Sequence, residues 1–255
     1  MAMMHGFYPP QKRGGKVVTM NSNAHCVEMF KPNSAPCPRI GELSSQARSS
    51  AEYVRRRSSI DAYLAELNEI EGTRGSSTWD KGLVEPWGDS LLSRMCNALP
   101  FHCNASGHCI DPAAARAVID FYNYDSATYI AAEEAGKLGG GYLVRYVYER
   151  LAARAEKGAG PLYTHISAHD TTLIATLSAL RHEIYGLPPY ASTIVFELWK
   201  TSGGEHVVRT LYNSVPIAAP ECSGLLCPLD DFHKMIENRL TVVDFESECA
   251  VKGSK

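Results

Sequence analysis

Apolar and polar positions divide the chain into two outer parts that alternate like strands and a long middle with helical spacing. Residues 162–167 alternate, which predicts a strand, and from 171 to 180 the apolar positions shift to the helical period. Residues 191–200 and 206–213 alternate again, and Gly203-Gly204 between them predicts a hairpin. Residues 16–22 read as a further strand, followed by a Pro-rich extended connection over 31–38. The middle reads differently. Residues 44–72 place Tyr53, Ile60, Leu64 and Leu67 on helix-like spacing, and helical patterns continue over 87–99 and 112–135. Gly139-Gly140-Gly141 then predicts a flexible joint leading into a helix over 142–156. The triplet has neither the Lys nor the spacing of a phosphate-binding P-loop.

Composition bounds what such a chain can be. With 255 residues and 45% hydrophobic content it can bury a sizeable core as one large domain or two small ones. A formal charge of −3 without a long basic stripe gives no reason to expect a nucleic-acid partner. Arg55-Arg56-Arg57 reads first as a solvated helix face and second as an anion-steering patch. No apolar run approaches the ~20 residues of a membrane helix, and residues 1–15 lack the apolar stretch of a signal peptide.

The candidate chemistry sits at a corner. In Ala168-His169-Asp170-Thr171 a cation-capable ring and a carboxylic acid lie where the predicted strand 162–167 meets the predicted helix 171–180. Ligands of open α/β sheets bind beyond the carboxyl ends of strands, and a helix start offers free N–H groups to an anion. Thr171 and Thr172 add hydroxyls that could cap that helix. The plain alternative is that Asp170 is only a cap and His169 only a surface residue, since a short motif is a hypothesis until its context is known.

Three longer stretches carry a resemblance. G-G-G-Y-L-V from Gly139, I-S-A-H-D-T-T-L from Ile166 and L-P-P-Y-A-S-T-I-V-F-E-L-W from Leu187 occur in this order. So arranged, they resemble the histidine acid phosphatases, the clade-2 branch of the histidine phosphatase superfamily. Weaker similarity continues through P-C-P-R-I, E-C-S-G-L-L-C-P-L and E-S-E-C. The resemblance implies an α/β fold, a Rossmann-like mixed sheet flanked by helices with an inserted, mainly helical cap. Residues 1–43 and 136–255 would form the core and 44–135 the cap. It implies an acid phosphatase acting on a small phosphomonoester, with no metal and no cofactor. His169 would contact the phosphate and Asp170 would protonate the leaving oxygen. The physics agrees, because a carboxyl beside a phosphate dianion and partly shielded from water favours its neutral acid form.

The sequence departs from that family in one respect. The nucleophile motif R-H-G-x-R-x-P and the later R-x-x-R-T segment are not present. Met4-His5-Gly6 does not replace them: Met precedes the His, no Arg follows at the right spacing, and His5 reads as an ordinary terminal residue. H-G-F-Y-P-P-Q instead resembles the region just after the missing arginine segment. We therefore expect a member entered partway, without the first strand and helix of the family fold, and inactive alone. Loss of a nucleophile that works as part of a unit costs on the order of a million-fold in turnover. Two other readings stay open: a noncatalytic phosphate-binding or scaffold relative, and a metal-dependent H-D phosphohydrolase, which would need further His and Asp ligands and a pair placed on a helix.

Eight cysteines bear on compartment. The resemblance pairs Cys37 with Cys249 and Cys222 with Cys227. Cys26, Cys96, Cys103 and Cys109 then allow three connectivities, and we favour a local pair within 96–109. His102-Cys103 and His108-Cys109 also suggest a zinc site, although adjacent ligands fit the usual C-x₂-C spacing poorly. Asn104-Ala105-Ser106 is an N-glycosylation acceptor. Disulfides and this sequon together imply the secretory pathway for the full-length relative: secreted, lysosomal or cell-surface.

Overall fold

The computed structural model describes residues 12, 14, 36–72, 84–130 and 132–251. The expected strand 16–22, most of the Pro-rich passage, His5 and Cys26 lie outside the described residues.

The expected helical stretch 44–72 begins earlier and is broken twice, giving α1 (Pro38–Arg48), α2 (Ala51–Ser58) and α3 (Asp61–Ile70). Pro38 opens α1, where its missing N–H leaves nothing unsatisfied. Ser50 starts α2 by accepting the Tyr53 N–H at 3.2 Å. Leu64 and Leu67 of α3 bury against α4 (Glu85–Cys96) and α5 (Pro112–Thr128), in a cluster with Trp87, Leu91, Val118 and Phe121. Asp111 caps α5, accepting the Ala113 N–H at 2.7 Å. Buried Asp125 then pins the group together. It accepts both Arg48 Nε at 2.7 Å and Nη2 at 2.9 Å, and the Tyr53 hydroxyl at 2.6 Å. The arginine run is a self-neutralised face: Arg55 and Arg56 pair with Glu52, Arg57 with Asp61, and Arg56 lies 4.4 Å over the Tyr124 ring.

The glycine triplet is not a joint. It lies inside one long helix, α6 (Glu133–Lys157), buried against α7 (Asp170–Ala179) and a π-helical turn at Ile236–Leu240. A methyl group on Gly140 would stand 2.2 Å from the Ala175 carbonyl oxygen, and one on Gly141 2.8 Å from that of Leu240. Gly136, one turn earlier, meets Ser178 Oγ at 2.4 Å in the same way. An interior glycine weakens a helix by about 1 kcal/mol. Here the close backbone approach requires it, and packing overrides the punctuation read from sequence. Gly158, with φ 59°, supplies the left-handed residue that ends α6.

Residues 162–167, expected as a strand, form neither helix nor ladder, and Leu162 and Tyr163 are exposed. A strand exists only through a neighbour that takes its backbone hydrogen bonds, and none of the described strands lies alongside it. The expected hairpin does form: β1 (Ile194–Lys200) pairs antiparallel with β2 (His206–Tyr212), with Gly204 at φ 88° in the turn. β3 (Val215–Ile217) and β4 (Leu226–Pro228) also pair with β2, completing a four-stranded antiparallel sheet. Ile194, Phe196 and Val208 share the face that packs on Leu177, Val144 and the helix α8 (Leu229–Met235), and Glu197 and Arg209 pair across the other face at 2.6 Å.

Cys37, at the start of α1, bonds Cys249 of α9 (Phe245–Cys249) across 212 residues, and Cys222 bonds Cys227, as the family resemblance implied. Crosslinks over long loops are typically worth ~2 to 4 kcal/mol. Cys103 bonds Cys109, and Cys96 is free and exposed.

Two stability predictions follow from this packing. Gly140→Ala should lower unfolding stability by about 3 kcal/mol in denaturant titration. Gly203→Ala, whose new methyl would meet only Thr201 Oγ1 at 3.7 Å, should stay within about 0.5 kcal/mol of the parent. The second concerns acid. Lys137 and the Val243 N–H hold the Glu248 carboxyl below its ordinary range, as Arg181 and Arg239 do for Glu133. A depressed folded pKa stabilises fully above the unfolded value of about 4.3 and is lost as pH falls through the folded value. The midpoint of thermal unfolding should therefore drop between about pH 5 and about pH 3, less steeply in Glu248→Gln.

Candidate active site at the start of α7

His169 is the last residue before α7, with extended backbone (φ −102°, ψ 162°), and Asp170 is its first helical residue. The His169 N–H donates to Thr172 Oγ1 at 3.3 Å, and Asp170 Oδ1 accepts the Thr171 N–H at 2.6 Å. Thr172 is buried and so fixes the backbone entering the helix, as a cap does. Thr171 has a buried Oγ1 without a partner. Asp170 therefore caps its own helix, and this does not conflict with chemistry, because its side chain and that of His169 both remain exposed. The partial shielding from water expected for the acid is not provided by the described residues.

Helices α4 and α5 meet the L-P-P-Y turn that follows α7. Gly88 lets α4 lie directly on the Tyr122 ring of α5, where an added methyl would stand 2.2 Å from Cγ. Glu85, Asp89 and Ser93, one helical turn apart, share a stripe on α4, and Ser93 Oγ and the Tyr190 hydroxyl are 3.0 Å apart. Tyr190 belongs to the L-P-P-Y turn. That turn is tied to α5 by the Leu187 N–H, which donates to Asn123 Oδ1 at 3.3 Å, and by Gly186, which sits against Asn123. Burial pushes the Tyr122 phenol pKa up, and the negative charges of Asp89, Glu85 and Asp170 push it further. Sequence reasoning missed Glu85, Asp89, Tyr122 and Tyr190. The spacing of Glu85, Asp89 and Ser93 within a helical pattern was the only available signal.

The remaining candidates lie elsewhere. The sulfurs of Cys103 and Cys109 are joined to each other, so the zinc reading loses two of its four ligands. His102 places Nε2 2.8 Å from Ser90 Oγ and Nδ1 against Glu71, while His108 lies 3.2 Å from Glu66. Hydroxyl, imidazole and carboxylate come in the order of a base-activated nucleophile. Ser90, however, lies inside α4, where the helix ladder takes up the N–H groups an oxyanion would need. The trio ties α4 to Glu71, just past the end of α3. Among the described residues no group of three or more His, Cys, Asp or Glu is arranged to hold a metal. Asn104 Oδ1 accepts the Ser106 N–H at 3.1 Å and the Ser106 hydroxyl at 2.8 Å in the loop closed by Cys103 and Cys109. Glu197 is held low by Arg209 and then Trp199, an ion pair on the sheet face rather than a site acid. Clefts of about 260 Å³ beside Arg181 and His182 and about 270 Å³ beside Trp199 and Arg209 include neither His169 nor Asp170.

A mixed α/β fold carrying an H-D pair at a helix start defines a class, and comparison with known proteins agrees with it. The profile of the histidine phosphatase superfamily (branch 2) matches residues 1–213, and the chain belongs to that family. It is 29% identical over 269 residues to the lysosomal acid phosphatase of Bos taurus, covering 99% of this chain and 61% of that protein. It is 26% identical over 229 residues to the prostatic acid phosphatase of Rattus norvegicus, covering 84% and 56%. The chain thus spans about three fifths of the curated relatives it matches. Among solved structures, Hafnia alvei phytase in complex with myo-inositol hexakis sulphate superposes with a TM-score of 0.60 at 14% identity, covering 98% of this chain and 76% of that one. That likeness shows the fold.

Thr172→Val keeps the shape of a buried side chain and removes the acceptor for the His169 N–H. It should lower unfolding stability by about 1 kcal/mol, and Thr172→Ser should restore most of it.

Proposed function

We propose that this chain carries the acid and one phosphate contact of an acid phosphatase site, with His169 touching the phosphoryl group and Asp170 donating the proton. The observation that carries the reading is the H-D pair at the start of α7, in a chain of this family whose relatives are acid phosphatases. In the full reaction a histidine nitrogen attacks phosphorus in line and the P–O bond to the alcohol breaks. The departing oxygen takes the proton of Asp170, and water then hydrolyses the phosphohistidine. Positive side chains hold the equatorial oxygens without a metal.

R-H-G-x-R-x-P does not occur in these 255 residues. We therefore propose that they bind phosphate or a phosphomonoester and do not turn it over on their own. A noncatalytic phosphate-binding relative would look the same at this site. A metal-dependent H-D phosphohydrolase is disfavoured because no further His, Asp or Glu joins the pair among the described residues. Residues 44–135 as a cap over a core of 1–43 and 136–255 is the matching division, supported by an apolar cluster whose buried members run from Ile60 to Tyr122. Entry into the secretory pathway, with glycan on Asn104, is supported by three disulfides and by lysosomal and prostatic relatives. No described helix is long and apolar enough to cross a membrane.

Purified 255-residue chain should show no p-nitrophenyl phosphate hydrolysis between about pH 4 and about pH 6 that is lost in His169→Ala or Asp170→Ala. Phosphate should nevertheless raise its thermal midpoint, and His169→Ala should abolish that rise. Turnover sensitive to either substitution would place a nucleophile within these residues and overturn the half-site reading.

A further inference from the structure

We propose that the free edge of β1 pairs with the same strand of a second copy of this chain, joining two four-stranded sheets across a two-fold axis at Glu197. The proposal does not depend on the phosphatase reading above.

The edges of the sheet are unequal. On one side of β2 lie β3 and β4, each three residues long and each carrying a proline, Pro216 and Pro228. Short strands and prolines keep sheet edges from pairing with other chains. On the other side lies β1, seven residues without proline or glycine, which pairs with β2 and with no other described strand. An unprotected edge of this length is a template for a further strand.

The register of β1 on β2 shows which of its backbone groups are free. The Asn213 N–H donates to the Thr193 carbonyl at 3.0 Å, and the Thr201 N–H donates to the Glu205 carbonyl at 2.9 Å. Opposed residues of an antiparallel ladder alternate between bonded and non-bonded pairs. Val195, Glu197 and Trp199, at even spacing from Thr193 and Thr201, therefore turn their backbone groups to β2. Ile194, Phe196, Leu198 and Lys200 turn theirs outward. The same alternation sends Ile194 and Phe196 onto the core and leaves Val195, Glu197 and Trp199 on the outer face.

A second copy matches this edge in both backbone and side chains. When the two strands run antiparallel about Glu197, Ile194 meets Lys200 of the partner subunit and Phe196 meets Leu198 of the partner subunit. All the outward N–H and carbonyl groups of both strands are then taken. On the outer face Val195, 41% exposed, meets Trp199 of the partner subunit, a residue 51% exposed, and the two-fold axis repeats the contact. A β-branched side chain opposite an aromatic one is a favourable cross-strand pair, whereas bare like charges opposite each other are not. Glu197 is not bare: it accepts Arg209 Nε at 2.6 Å and Trp199 Nε1 at 2.9 Å, so the central row holds two ion pairs side by side. An unrelated extended peptide would satisfy the backbone but not these side-chain pairs. Stable interfaces use about 20–30 residues a side, so a seven-residue edge gives a weak, reversible dimer.

Sedimentation equilibrium of the whole chain tests this. The weight-average mass should rise from that of one chain toward that of two between about 1 and about 300 μM, with a Kd on the order of 50 μM. Val195→Glu alters an exposed side chain, removes both Trp199 contacts and sets a carboxylate near Glu197 of the partner subunit. It should weaken association about tenfold. Leu226→Glu, an equally exposed outer-face change on β4, should leave association as it is. A chain monomeric at every concentration overturns the proposal, as does a dimer indifferent to Val195→Glu. A dimer weakened equally by Leu226→Glu would place the contact on the face of the sheet and overturn the edge pairing.

Discussion

The contact between α6 and α7 is the constraint on which this structure depends. It exists because side chains are missing: Gly136 and Gly140 let α6 approach the backbone of α7 at Ser178 and Ala175, and Gly141 lets it approach the π-helical turn. Helices packed through ordinary side chains stand 8–10 Å apart. Removing the methyl groups from one ridge brings the backbones nearer and leaves little freedom to slide or rotate. The start of α7 is where His169 and Asp170 lie, so their position follows from glycines some thirty residues earlier in the chain. Ala135 and Leu138, on the same helix, join the apolar clusters of Ile174 and of the Cys37–Cys249 disulfide. The site thus rests on a rigid element rather than on a loop.

A second layer of constraint comes from helices α1, α2 and α5, and it works through polar contacts. Asp125 is buried and gathers Arg48 and Tyr53 onto α5, one turn from buried Tyr122 on the same helix. Breaking one member of such a group leaves the others buried without partners, so the helices move together or not at all. Through Gly88, Ser93 and Asn123 the same helices are joined to the L-P-P-Y turn, which connects the end of α7 to β1.

The distribution of charge separates structure from function in this protein. Its ion pairs are of two kinds: long-range pairs that join elements, such as Arg48 with Asp125 and Lys137 with Glu248, and local ones that neutralise the three consecutive arginines read in sequence as a solvated face or a steering patch. The carboxylates of Glu248 and Glu133, held low by Lys, Arg or backbone N–H groups, serve packing.

Read alone, the sequence determined the family and many of the local elements. The hairpin 191–213 was legible because strand alternation and a glycine turn are local properties, and the helices of the middle region because their apolar stripes are. The His169-Asp170 pair was legible as a motif, and the pairs Cys37–Cys249 and Cys222–Cys227 through family resemblance. The tertiary structure decided what depends on neighbours. The glycine triplet punctuates nothing, because only the opposing backbone of α7 shows that it is a contact. Residues 162–167 have the alternation of a strand but no ladder, since alternation describes two faces and cannot supply the adjacent strand that takes the hydrogen bonds. Ser93 and Tyr190 lie 97 residues apart in the chain, and only the packing of α4 beside the L-P-P-Y turn brings their hydroxyls together. Pattern along a chain reports on neighbours in sequence, whereas charge and close approach act through space.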